Sequence, residues 1–186
     1  MSSTRTQLLF GGAITAELPT GFIDASDFRQ VPDNQEVLVR DDSDVSLIVE
    51  VLQLATDEGA GESLDNAVRF HFGSLAHDNS ASSSQIETVE LPASAYETVA
   101  TATPAPAILT GTQVVKKFGK QSEPEETVRI YLALWRLTDK NIDLVMSLNQ
   151  PIRTQNGTSD TMVMDPASTF LTAARSLQIQ DWSLFA

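Results

Sequence analysis

Apolar residues recur at every second position over several stretches of this chain, and at every third or fourth over two others. The two-residue period predicts strands and the longer one predicts helices. Residues 7–10 and 13–18 read as two short strands joined at Gly11-Gly12, a pair that permits a tight connection or a bulge. Residues 36–40 resume strand character, and Asp41, Asp42, Ser43 and Asp44 then make an acidic turn. In 45–54, Val45, Leu47, Val49 and Val51 lie on one face and Ile48, Leu52 and Leu54 on the other. Apolar character on both faces predicts a sheet covered on both sides. Residues 86–91 alternate weakly, as an edge strand does, and 107–118 read as a strand ending in Lys116, Lys117 and Lys120. The clearest strands are 125–137 and 141–149, joined through Thr138-Asp139-Lys140 as a hairpin, with Pro151 ending the second.

Two helices are predicted. Ser63 is placed as an N-cap, and Leu64, Ala67, Val68, His71, Phe72, Leu75 and Ala76 follow it at helical spacing as a buried stripe. His71 falls on that stripe and reads as a packed histidine. The only other histidine is His77, and no cysteine completes a metal site. Asp165-Pro166 is the second helix start, with Ala167, Phe170, Leu171, Ala174 and Leu177 as its core face. The apolar end, Ile179, Trp182, Leu184 and Phe185, reads as a docked tail. Residues 92–106 and 154–160 read as loose, polar connections. These elements give an α+β sandwich: a mostly antiparallel sheet of about six strands with two main helices. At 186 residues the chain suits a single domain over 1–186.

Composition narrows the function classes. The formal charge of −13 disfavours nucleic acid and anionic membrane as partners and suits a basic one, although simple solubility explains it too. No run approaches the roughly 20 apolar residues of a membrane helix, and the polar start MSSTRTQ does not read as a signal peptide. Without cysteine there is no thiol chemistry, and a reducing compartment fits.

The stretch 21–37, GFIDASDFRQVPDNQEV, stands out for its acids: Asp24, Asp27, Asp33 and Glu36, with one base, Arg29. Its Pro, Asp and Asn residues favour turns, and 24–29 can form one helical turn capped by Asp24 or Ser26. The reading is a rigid, carboxylate-bearing surface loop between apolar strands, either a binding element or a solvated connector. Catalysis has little to rest on: there is no GxSxG elbow and no phosphate loop. The acids could supply a carboxylate pair for glycoside hydrolysis, which keeps an acidic-loop hydrolase as the alternative. Calcium binding lacks the DxDxDG pattern.

With its flanks the stretch reads LFGGAITAELPTGFIDASDFRQVPDNQEVLV, and SLIVEVL, HF, LWRL, DLVMSLNQP and DWSLFA follow in order down the chain. This resembles the Mog family, the Ran guanine-nucleotide release factors of nuclear import; residues 81–106 carry no match. The resemblance implies an α/β/α sandwich like that of the photosystem PsbP proteins, with helices on both faces of the antiparallel sheet. It also implies a regulator of the small GTPase Ran that promotes nucleotide release, with no active site or cofactor of its own. The acidic loop is the part of the family linked to release. Carried over by position, it points to Asp24, Asp27, Arg29, Asp33, Asn34, Gln35 and Glu36, with Phe22 and Pro32 shaping the loop. Phe28 and Gln30 receive no role, since members vary there. The expected partners are Ran and a Ran-binding protein as coactivator, with the chain a monomer in nucleus and cytoplasm.

Overall fold

The alternating stretches pair into two antiparallel sheets. The structure is a computed structural model that describes residues 3–93, 103–116, 124–152 and 164–186. Ten strands lie among them: β1 (Thr4–Leu9), β2 (Ile14–Pro19), β3 (Phe22–Asp24), β4 (Gln35–Arg40), β5 (Ser46–Gln53), β6 (Ser83–Glu90), β7 (Ala107–Lys116), β8 (Glu125–Leu137), β9 (Ile142–Ile152) and β10 (Gln178–Ile179). Helix α1 (Leu64–Asp78) follows β5, and α2 (Pro166–Ser176) precedes β10. The main sheet has seven strands in the order β3-β4-β5-β9-β8-β7-β6, and β1-β2-β10 form a small second sheet. The sequence pointed to about six strands. Eight stretches had strand character, and the two strands not read, β3 and β10, are three and two residues long, too short to show a period.

The main sheet is covered on both faces, as the two-sided pattern of β5 required. On one face α2 and the small sheet bury the larger core: Phe170, Ala173 and Ala174 of α2 with Ile14, Ala16 and Leu18 of β2 pack on Leu47, Val49, Trp135, Leu144, Met146 and Leu148. On the other, Ala67, Val68 and Phe72 of α1 pack on Leu109, Ile130, Leu132, Leu134 and Val145. At 25 cal/mol per Å² of apolar surface, each fully buried Leu, Val or Phe contributes about 1.5–3 kcal/mol. Gly111 sets how closely α1 approaches: a Cβ there would lie 2.5 Å from the Gln85 carbonyl oxygen and 2.7 Å from the Phe72 ring.

Both caps form as the sequence indicated. Ser63 accepts the Asn66 N–H and Asp165 accepts the Ser168 N–H, each satisfying a first-turn donor. On α2 the buried stripe includes Thr169 and Ala173, while Ala167 and Leu171 are half-buried, a rotation of the anticipated face. Pro151 does not end β9, which runs on to Ile152 with Pro151 opposite Val128. Strand β5 reaches only as far as Asn149, so beyond it β9 has one free edge where a missing N–H costs no ladder bond. The tail docks: Gln180 and Asp181 donate to the Ala13 carbonyl, and Phe185 is buried in the larger core. The readings placed on 94–102, 154–160, Lys117 and Lys120 lie outside the described residues.

Candidate functional site: the acidic loop between β3 and β4

Gly21 opens the loop with φ +96°, a conformation that glycine adopts without strain. A Cβ on Gly21 would meet the guanidinium of Arg40 at 2.7–3.0 Å. Arg40 donates to the Thr20 carbonyl at 2.6 Å, pairs with Asp42 through two nitrogens, and lies over the Phe22 ring at 5.3 Å. Its hydrogen bonds hold the Asp42 carboxyl below the usual carboxylate range. This lock fixes the start of the loop against the far end of β4.

From there each acid has a distinct setting. Asp24 caps a 3-10 turn over Ala25–Asp27 by accepting the Ser26 N–H at 2.8 Å. Asp27, Arg29 and Asp33 are exposed, and their side chains form no hydrogen bond or ion pair with described residues. Asn34 donates to the Val51 carbonyl at 3.3 Å, and its own carbonyl accepts the Val51 N–H at 2.9 Å. Gln35 donates to Glu50 at 2.6 Å across β4 and β5. Glu36 accepts the backbone N–H of Phe10 from the β1–β2 turn.

Register separates these residues by face. Asp24 lies opposite Leu38, and Glu36 precedes Leu38 by two, so Asp24 and Glu36 share the side facing the small sheet. Gln35 points to the α1 side. Burial pushes the Glu36 carboxyl upward, the Phe10 N–H partly offsets this, and the charge of Asp24 adds to the rise. Among the described residues no cation pairs with either acid. A carboxylate pair left without a counter-charge favours any basic group brought to it from outside.

The family model described as "Ran-interacting Mog1 protein" matches residues 7–151. The chain belongs to the Mog1 family. The human protein called Ran guanine nucleotide release factor is 39% identical over 152 residues, covering 81% of this chain and 78% of its own length. The Schizosaccharomyces pombe nuclear import protein mog1 is 32% identical over 191 residues, covering 96% of this chain and 98% of its own. The crystal structure of the Saccharomyces cerevisiae Ran-binding protein Mog1p superposes with a TM-score of 0.74 at 28% identity, over the full length of both chains. This agrees with the antiparallel α+β architecture read from the sequence.

In this Mog1 chain the structure thus splits the seven sequence-predicted residues. Asp24 and Glu36 form a pair on one face. Asp27, Arg29 and Asp33 stand exposed on the rim, and Asn34 and Gln35 tie the loop to β5. Two features went unread. Phe28, assigned no role, is 62% exposed between Asp27 and Arg29. Asp143 of β9 is fully buried, accepts from His71 Nε2 at 2.8 Å and from the Ala55 N–H at 2.9 Å, and lies 3.8 Å from Arg136. A single acid inside the apolar run of β9 was the available signal, since a buried carboxylate requires partners.

Proposed function

We propose that this chain is a Ran-binding regulator that promotes release of guanine nucleotide from Ran and serves nuclear protein import, with no active site of its own. Membership of a family described as Ran-interacting supports this, as do relatives called Ran guanine nucleotide release factor. The single structural observation that carries it to a site is the Asp24–Glu36 pair without a counter-charge, on a loop pinned at both ends.

The contact residues are Asp24, Asp27, Arg29, Asp33 and Glu36, while Asn34 and Gln35 hold the loop in place. Phe28 adds an aromatic side chain of the kind that anchors protein interfaces. A GTPase holds its nucleotide's phosphates with a lysine, backbone amides and Mg²⁺. A carboxylate pair set beside that site competes for the lysine and disfavours the magnesium–phosphate cluster. Nucleotide and regulator then weaken each other's binding by the same factor at equilibrium. No covalent step is needed. The protein acts as a monomer in nucleus and cytoplasm, binding neither nucleic acid nor membrane, with a Ran-binding protein as a second partner. Among the described residues no helix is long and apolar enough to cross a membrane.

The test is release of a fluorescent guanine nucleotide from Ran, with a pull-down against nucleotide-free, GDP and GTP forms. Faster release with wild-type protein, slowed by charge reversal in the loop, is the expected result. Unchanged release on adding the protein would overturn the reading.

A further inference from the structure

A second polar site lies on the opposite side of the sheet from the Asp24–Glu36 pair. Beneath the C-terminal half of α1, between that helix and strands β5, β8 and β9, is a cavity of about 130 Å³. At roughly 30 Å³ per water it holds about four waters, or an unbranched chain of a similar number of heavy atoms. Leu52, Leu75, Leu132 and Val145 give it apolar walls. Its polar lining is Glu50, His71, Ser74, Asp78 and Ser147.

These polar groups can accept hydrogen bonds, and no lysine or arginine lines the cavity. Ser147 is 3% exposed, and its hydroxyl forms no hydrogen bond among the described residues. A hydroxyl this buried ordinarily has a partner. His71 is 7% exposed and uses Nε2 on Asp143. The Asp143 carboxylate accepts, so Nε2 carries a proton and is committed to that bond. Among the described residues Glu50 is hydrogen-bonded by Gln35 alone, and Asp78 bears a second negative charge on the same cavity. Burial pushes the Glu50 carboxyl upward, the Gln35 hydrogen bond and His71 oppose this, and the Asp78 charge adds to the rise.

We propose that this cavity binds a primary alkylammonium group, the chemistry of a lysine side-chain end. An ammonium offers three donors that rotate freely, and Glu50 of β5, Asp78 of α1 and Ser147 of β9 offer acceptors from three walls. The apolar walls suit the aliphatic stem. A planar guanidinium fork matches three separated acceptors less well. An anion would meet the Glu50 and Asp78 carboxylates, and among the described residues no group of three ligating side chains forms a metal site. The ammonium can come from a lysine of a partner protein or from a free polyamine. The proposal does not depend on the role of the acidic loop, and each can fail alone.

The experiment titrates n-butylammonium chloride into the isotope-labelled full chain at constant ionic strength and follows backbone amide shifts, with n-butanol as the uncharged control. Saturable shifts centred on Glu50, His71 and Ser147 are expected with the amine and absent with the alcohol. Glu50→Gln keeps an acceptor for Gln35 and removes the charge, and should weaken binding roughly tenfold. Ser147→Ala should weaken it by a smaller factor, and neither variant should melt below the wild-type temperature. An Nα-acetyl-lysine amide and spermidine are compared in parallel: preference for the first assigns a peptide lysine, for the second a free polyamine. Linear, unsaturating shifts, equal binding of butanol, or full affinity in Glu50→Gln would overturn the proposal and leave a solvent-filled cleft.

Discussion

Glu36 of β4 accepts the backbone N–H of Phe10, 26 positions earlier in the chain. Phe10 has φ +49°, and Gly11 and Gly12 that follow it are also left-handed, at +66° and +94°. A bulky residue in that region is held there only by surrounding structure. One carboxylate therefore joins the small sheet to the loop and supports a strained turn. Glu36→Ala should destabilise the protein by about 1–3 kcal/mol, since it leaves the Phe10 donor unsatisfied. Glu36→Gln keeps an acceptor and should cost far less. Urea unfolding of the two variants at neutral pH separates the outcomes, and equal losses would show that charge, not acceptance, matters.

The pH dependence follows from the same residue and from Glu50. Both carboxyls are raised in the folded protein, mainly by burial. The folded state therefore holds protons that the unfolded state has released between the ordinary glutamate range and the raised values. Stability from these two groups is smallest at neutral pH and grows as pH falls through the raised values, levelling off below the unfolded ones. The double variant Glu36→Gln/Glu50→Gln should lack that increment. Comparing its unfolding free energy with wild type from pH 7 to pH 4 isolates the contribution, and parallel curves would refute it.

Gly21 and Gly111 are predicted to be intolerant for different reasons. At Gly21 an alanine meets both a left-handed backbone and the Arg40 guanidinium. A cost of about 1–2 kcal/mol is expected from the backbone alone. Because Arg40 also orders the loop start, Gly21→Ala should impair partner binding beyond its effect on melting. At Gly111 the obstacle is the Gln85 carbonyl and the Phe72 ring, so Gly111→Ala should lower the melting temperature through α1 packing and leave the loop unaffected. Gly73, whose Cβ would meet nothing within 4 Å, is the control.

The elements legible in the sequence were those whose signal is local. Ser63 and Asp165 cap their helices because an N-cap needs only the next three residues, and β5, β8 and β9 showed their periods within one strand. The loop's acids were legible as composition and by resemblance. Their division was not: the Glu36–Phe10 bond and the shared face of Asp24 and Glu36 depend on how β1 and β3 are placed around β4. The same holds for the His71–Asp143 pair, whose members lie 72 positions apart. Strands β3 and β10 were missed because their pairing, and not their own sequence, makes them strands.

The tail is predicted to matter for stability. Phe185 is buried in the larger core and packs edge-on against Trp182 with ring centroids 5.9 Å apart. Phe185→Ala should cost about 3 kcal/mol if the site does not collapse. Trp182 is half-buried and should cost less. Chemical denaturation midpoints rank the two, and an unchanged midpoint for Phe185→Ala would show that the tail's docking contributes nothing to stability.

The loop carries the functional reading, and its charges can be tested separately from its stability. Residues 24–44 contain seven acids and two bases. Asp27 and Asp33 are exposed and engage nothing among the described residues, so Asp27→Lys and Asp33→Lys should fold as wild type does. If the loop docks on a basic face of Ran, both should slow association, and the slowing should shrink as salt rises, because exposed charges are screened over about 10 Å at 0.1 M salt. Asp24→Lys and Glu36→Lys reach the carboxylate pair itself. If a Ran cation is desolvated there, each should cost about 2–5 kcal/mol in binding. Glu36→Lys also loses the Phe10 acceptor, so Glu36→Gln is the informative companion: it keeps the turn and removes the charge. The control is Glu90→Lys on β6, at the opposite edge of the seven-stranded sheet from β3. Release of fluorescent nucleotide from Ran at two salt concentrations reads all of these. Impaired release in the loop variants with Glu90→Lys at wild-type rate is the expected pattern. Loop variants that release nucleotide at the wild-type rate would reduce the stretch to a connector and move the active surface elsewhere on the domain.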